Sequence, residues 1–284
     1  MALTLSKVMA RAWEELGHLT ELQATGGSTT TIISTYSPFT ADDSLNNGTA
    51  IVRYDAGGAG AAPEGEMSVI SDYVASTTTW TIGALTTAVA SGDIVGLCKP
   101  TIRMRQMWRA VNSALANLGT ISLVDTSLTT VSGQTEYAIP VDLKIKKLSD
   151  VLISTNDTSG NRYYESVKGY INEFPAAPAS TGLLDFKVEL NSGETLKLVY
   201  EGIHPALTAY NSTISETIQE ELIVTATVEK ALTWLVSKRG ESAIGSFLLQ
   251  RLNDARVTLQ NQKFEKPITK SGNKPKFFMG AADA

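Results

Sequence analysis

The chain has 284 residues, 43% of them hydrophobic and 19% charged, with 24 Lys and Arg against 29 Asp and Glu for a formal charge of −5; this is globular composition, with length for one large domain or two to three modules. One cysteine, Cys98, and two histidines, His18 and His204, exclude an intramolecular disulfide framework and a multi-cysteine zinc site, and thin the options for catalysis. No apolar run approaches the roughly 18 residues of a membrane span, and the N-terminal stretch MALTLSKVMARAWEELG is amphipathic where a signal peptide is apolar, so the sequence predicts neither insertion nor export.

Residues 4–16 set Leu5, Val8, Met9, Ala12, Trp13 and Leu16 on one stripe at helical spacing, predicting a first helix that stops at Gly17. From Thr20 to Cys98 the chain turns to Thr, Ser and β-branched residues punctuated by Gly, Asn and Asp. Five strands are predicted there, in TTTIIST, TAIVRYD, MSVISDYV, TWTIGAL and DIVGLC, enough for a small sandwich or barrel.

Helical period returns between Pro100 and Gly119, where Ile102, Met107, Val111, Ala114, Leu115 and Leu118 align and Pro100 stands near the helix start. A second β-rich block follows to Pro205, with strands predicted in ISLVDT, QTEYAIP, IKKLSDVLIS, LLDFKVEL and ETLKLVYEG. The Asn191-Ser192-Gly193 turn makes the last two the best candidate hairpin. From Ser215, Ile218, Leu222, Ala226, Leu232 and Leu235 mark a long helix ending near Gly240. Ile244, Phe247, Leu248, Leu252, Ala255 and Leu259 mark another through Gln262, antiparallel to the first across a short connection.

Residues 263–284 have no amphipathic period and two prolines, and their five lysines stand against two carboxylates, Glu265 and Asp283. They read as an extended tail that is ordered by a partner. Lys263, Lys266, Lys270, Lys274 and Lys276 supply charge, and Phe264, Phe277, Phe278 and Met279 supply apolar anchors that need burial somewhere. The predicted architecture is thus α+β: a bundle of about four helices (1–19, 99–119 and 215–262) interrupted by β-rich insertions at 20–98 and 120–214, with a partner-binding tail at 263–284.

The Gly-rich run Gly57–Gly65 lacks the Lys and Ser or Thr of a phosphate-binding loop and is followed by a strand, so it reads as a connecting loop. His18 and His204 sit in no nucleophile motif, and Cys98 among Leu97 and Lys99 reads as a small apolar residue. The acidic pairs Asp42-Asp43, Glu64 with Glu66 and Glu220-Glu221 match no calcium-loop spacing and read as solvated turns and helix surface. Lys99, Arg103, Arg105 and Arg109 form a positive cluster able to meet phosphate or a partner's carboxylates, although a solvated helix face is the better reading of these four alone. No residue is assigned to catalysis, a cofactor or a metal.

Three groups of segments together resemble structural proteins of tailed bacteriophages: ATGGSTTTIIST with DDSLNNGTAIVRYDAGGAGAAPEGE and ISDY; TVSGQTEYAIP; and LKLVYEGIHPAL. With the helical frame and the C-terminal tail, the chain is similar to head-to-tail connector (adaptor) proteins. The resemblance implies a non-catalytic virion protein made in the host cytoplasm, assembled as a ring, usually of twelve copies, in the neck between capsid and tail. Its implied partners are further copies of itself, the portal protein and a tail or neck protein, with double-stranded DNA passing non-specifically through the channel. The portal-gripping role then falls on residues 263–284, and the mild negative charge suits a conduit that does not hold DNA by counterion release. A second reading is a tail-side, receptor-binding or carbohydrate-binding virion protein, in which Trp80 and Tyr73 offer a sugar-stacking surface.

Overall fold

The computed structural model describes residues 3–58, 60, 62–140, 145–156, 162–167, 170–173, 182–187, 189–239 and 246–265. They form an α+β protein with four α-helices and three antiparallel sheets. The first helix, α1 (Leu5–Glu15), is capped by Thr4, whose hydroxyl accepts from the Lys7 amide. Its apolar stripe is fully buried, and the Trp13 indole donates to the Ile102 carbonyl at 3.0 Å. Gly17, at φ +67, ends it as the sequence predicts.

Seven strands follow, two more than predicted: β1 (Leu19–Gln23), β2 (Gly26–Gly27), β3 (Thr31–Ile33), β4 (Thr49–Tyr54), β5 (Met67–Val74), β6 (Thr79–Ile82) and β7 (Ile94–Cys98). All five predicted strands are present. The order is β1-β7-β4-β5-β6-β3-β2, so the two outer strands are separated in the chain only by Ala24 and Thr25. Ala24 donates to the Asp93 carbonyl and Thr25 to that of Ile33, each at 2.8 Å. A single run of chain therefore supplies both margins, and the sheet closes on itself as a small barrel. Its own core is Ile32, Val52, Ile70, Trp80, Val95 and Leu97 with their neighbours. Tyr73 and Trp80 stack at 4.5 Å between ring centres, and Phe39 meets both edge-on. A seven-stranded unit with a separate core is a principal part of the molecule rather than a minor insertion.

Helix α2 (Met104–Asn117) starts four residues beyond Pro100, later than predicted, and buries Met107, Ala110, Val111, Ala114 and Leu115. After it come β8 (Ile121–Thr129), β9 (Glu136–Ala138), β10 (Ile145–Asn156), β11 (Arg162–Ser166), β12 (Tyr170–Glu173), β13 (Leu183–Phe186) and β14 (Thr195–Gly202). They form a four-stranded sheet, β11-β10-β14-β8, and a three-stranded one, β12-β13-β9. The predicted hairpin is not formed, because β13 pairs with β12 and β9 while β14 pairs with β10 and β8. The turn at Asn191–Glu194 is held instead by Thr130: its hydroxyl bonds to the Asn191 and Glu194 carbonyls and its carbonyl accepts from Gly193. That grip aims β14 along β8, and the chain changes sheets at the turn.

The last helices are α3 (Glu220–Arg239) and α4 (Ser246–Glu265). The former begins five residues later than Ser215, and the latter runs past the predicted stop at Gln262. Arg256 of α4 donates to Glu229 of α3 at 3.3 Å, and these positions are equidistant from the connection, as in an antiparallel pair. The main core joins all four helices to both smaller sheets: Trp13, Met107, Val111, Tyr137, Val151, Phe186, Leu198, Ile223 and Leu232 all belong to it. Ile51 and Cys98 of the barrel reach into it as well. Among the described residues no helix is long and apolar enough to cross a membrane.

Candidate functional site

The residues most able to do chemistry are engaged in holding the fold. Cys98 ends β7 with no exposed surface, and burial pushes its thiol far up, against a smaller opposing effect of the Arg53 charge. It is therefore a neutral, shielded thiol. His204 is also buried. Its Nε2 accepts from the Ser215 amide at 3.1 Å, which assigns the proton to Nδ1, 2.7 Å from the Pro205 carbonyl. Burial lowers its pKa and the bond to Pro205 opposes that shift; the ring is a neutral strut between two loops. His18 follows the end of α1, with its amide bonded to the Trp13 carbonyl and its own carbonyl accepting from Lys99.

The Gly-rich loop uses its own amides. Gly57 donates to Asp55 at 2.8 Å, Gly60 to Glu64 at 3.0 Å and Gly65 to the Val52 carbonyl at 2.8 Å. These backbone donors, which a phosphate would require, are taken by the carboxylates of Asp55 and Glu64 and by the Val52 carbonyl, which supports the reading as a connecting loop. The acidic pairs behave similarly. Asp42 accepts from the Ala75 amide, Asp43 from Asn46, and buried Glu66 from both the amide and hydroxyl of Thr86. Asp93, fully buried and not singled out by the sequence, accepts from Ala56 and Ala90 and joins two barrel loops. No group of three or more His, Cys, Asp or Glu that could hold a metal occurs among the described residues.

Surface features are more suggestive. Lys99, Arg103, Arg105 and Arg109 are all exposed around the N-terminal end of α2, and none is in an ion pair among the described residues. No Asp or Glu occurs between Asp93 and Asp125. An open groove of about 610 Å³ lies beside the start of β8. Leu123, Tyr200 and Ile214 give it an apolar floor, Asp125 and Glu216 an acidic rim, and no Lys or Arg lines it. A smaller groove of about 220 Å³ runs between α1 and β4, where Arg11 stands 4.0 Å from Glu220 and Arg53 reaches Glu14 and Glu21 at 3.4 and 2.8 Å. Its two arginines are thus already paired.

Of the predicted partner-binding residues, Lys263 and Phe264 lie in the last turn of α4 rather than in an extended segment. Lys266, Lys270, Lys274, Lys276, Phe277, Phe278 and Met279 lie outside the described residues. Trp80 and Tyr73, the sugar-stacking candidates, face the barrel interior with no exposed surface, which removes that basis for carbohydrate binding. Sequence reasoning missed a clamp on Leu207: its carbonyl accepts from the Trp108 indole at 3.0 Å and from Asn112 at 3.1 Å, and its amide donates to the Asn112 Oδ1 at 2.8 Å. The available signal was Asn112 itself, a polar residue next to the apolar stripe of α2.

No family model matches the chain, and no curated protein matches it. A solved structure, a regulatory subunit of a cAMP-independent protein kinase A from Trypanosoma cruzi bound to guanosine, is 7% identical over 69% of this chain and 81% of its own, with a TM-score of 0.15. A likeness of that size carries no argument about fold or function.

Proposed function

We propose that the chain is a structural virion protein of a tailed bacteriophage, a head-to-tail adaptor that forms a ring between portal and tail and lets DNA pass through its channel. The observation that carries the reading is where the phage-like segments fall. In TVSGQTEYAIP, Tyr137 is buried and its hydroxyl bonds to the amide of Val131 and the carbonyl of Gln134, so the segment locks its own turn to the core. In LKLVYEGIHPAL, alternate residues of β14 are buried, His204 ties down Ser215, and Leu207 is clamped by α2. These segments are framework, suited to presenting surfaces rather than to enclosing a substrate. The engagement of Cys98, His204, Glu66 and Asp93 in the fold supports the same reading.

On this reading the helices form a rigid frame from which the barrel and the smaller sheets project, and residues 266–284 supply the portal grip. Removing residues 266–284 leaves every described element intact, so the shortened protein should keep its melting temperature yet lose binding to the portal of the same genome. Portal binding equal to that of the full chain would contradict the assignment of the grip to this segment.

A further inference from the structure

Helix α2 carries unpaired cations in its first half, and the strand that follows it, β8, borders a groove with carboxylates on its rim. Lys99 and Arg103 precede the helix and Arg105 and Arg109 lie in its first two turns, all four exposed. At its finish Gly119 turns the chain with φ +95 and β8 begins at Ile121. The Thr217 hydroxyl bonds to the Ser122 carbonyl and brings the loop before α3 against β8, so that Asp125 and Glu216 share one groove. Among the described residues no ion pair joins the two sets within one copy, and no Lys or Arg lines the groove. Two complementary surfaces that do not pair with each other in one copy fit a heterologous contact, in which each copy offers its cations to the acidic groove of the next.

We propose that the basic end of α2 in one copy docks on the acidic groove beside β8 in a second copy, and that this head-to-tail contact joins neighbouring subunits. A second copy accounts for both surfaces at once, whereas a nucleic acid accounts only for the cations. The inference rests on the ring reading and supplies its interface. Because the contact is charged and has only a small apolar floor, it strengthens at low salt and dissolves at high salt.

The test is sedimentation velocity of the full chain and two charge-reversed variants, Arg105→Glu with Arg109→Glu, and Asp125→Lys with Glu216→Lys. All four positions are at the surface, and circular dichroism checks that each variant is folded. The wild type should associate in low salt and dissociate in high salt. Each variant alone should stay a monomer, while an equimolar mixture should regain association, because the reversed surfaces complement each other. A wild type that is monomeric in low salt, variants that associate like it, or a mixture that stays monomeric would each overturn the interface. Binding of the same wild-type sample to immobilised portal is read separately, so failure of the interface is distinguishable from failure of the adaptor reading. Retention of a duplex DNA probe by the wild type but not by the arginine variant, without self-association, would assign the cations to nucleic acid and also overturn it.

Discussion

At Gly48 a single hydrogen atom decides whether the barrel closes, because a β-carbon there would collide with the Cys98 carbonyl and lie 2.6 Å from that of Leu45. Both obstacles are backbone, which has nowhere to move. Gly48→Ala should therefore cost about 1–3 kcal/mol, the usual range for overpacking, measured as a lower denaturation midpoint with unchanged slope. An unchanged midpoint would mean the barrel yields at this point. His204 sets a second residue-scale expectation. Its folded pKa lies below its ordinary value of 6.5, so the unfolded chain binds the extra proton first. The stabilising contribution of the neutral ring is then complete above pH 6.5 and is lost as pH falls from there toward the folded pKa. Protonation also deprives the Ser215 amide of its acceptor. Wild type should lose more melting temperature than His204→Asn between pH 7.5 and 5.5, and equal losses would mean that the imidazole's proton plays no part.

At the scale of elements, the joints carry more of the stability argument than the elements do. Asn112 gives and receives a hydrogen bond at Leu207, binding α2 to the loop after β14. Asn112→Ala leaves the Leu207 amide without its acceptor and should cost about 1–3 kcal/mol, seen in chemical denaturation; a loss below a few tenths would show that water replaces the amide at no penalty. The contrast between elements and joints also governs how much was legible in the sequence. The first helix could be read because Leu5, Val8, Met9, Ala12 and Trp13 repeat at the helical period and face one core. The last strand could be read from the apolar run of ETLKLVYEG, with Leu196, Val199 and Tyr200 expected as core anchors; Leu196 and Tyr200 are buried, while the alternation buries Leu198 and leaves Val199 half-buried. Partners could not be read, since LLDFKVEL and ETLKLVYEG look the same whether they pair with each other or lie in different sheets. The decision belongs to Thr130, some sixty residues earlier in the chain. Strands β1 and β2 were missed for a related reason: LTELQ and a Gly-Gly pair have little β character of their own, and their strand state comes from closing the barrel. Of the surface features, the α2 cations were visible as residues, but the groove beside β8 exists only when Asp125 and Glu216 are brought together by folding.

For the whole molecule, charge and core divide the work. Four unpaired cations at the start of α2 and an acidic groove beside β8 give the surface two patches of opposite sign, and distinct, complementary patches are what a heterologous contact in a closed ring requires. The two cores divide the chain: the barrel buries its own interior, and the main core binds helices and smaller sheets into one body. The adaptor reading makes this body a rigid spacer, with contacts to neighbours on its flanks and to the portal through its C-terminal residues. Its most direct test is the mass of the purified protein, alone and mixed with the portal of the same genome, measured by light scattering behind gel filtration. The account predicts that the mixture elutes as a complex containing several copies of the 30.4 kDa chain per portal ring, assembled at micromolar concentration. A chain whose mass and elution are the same with and without portal would contradict it.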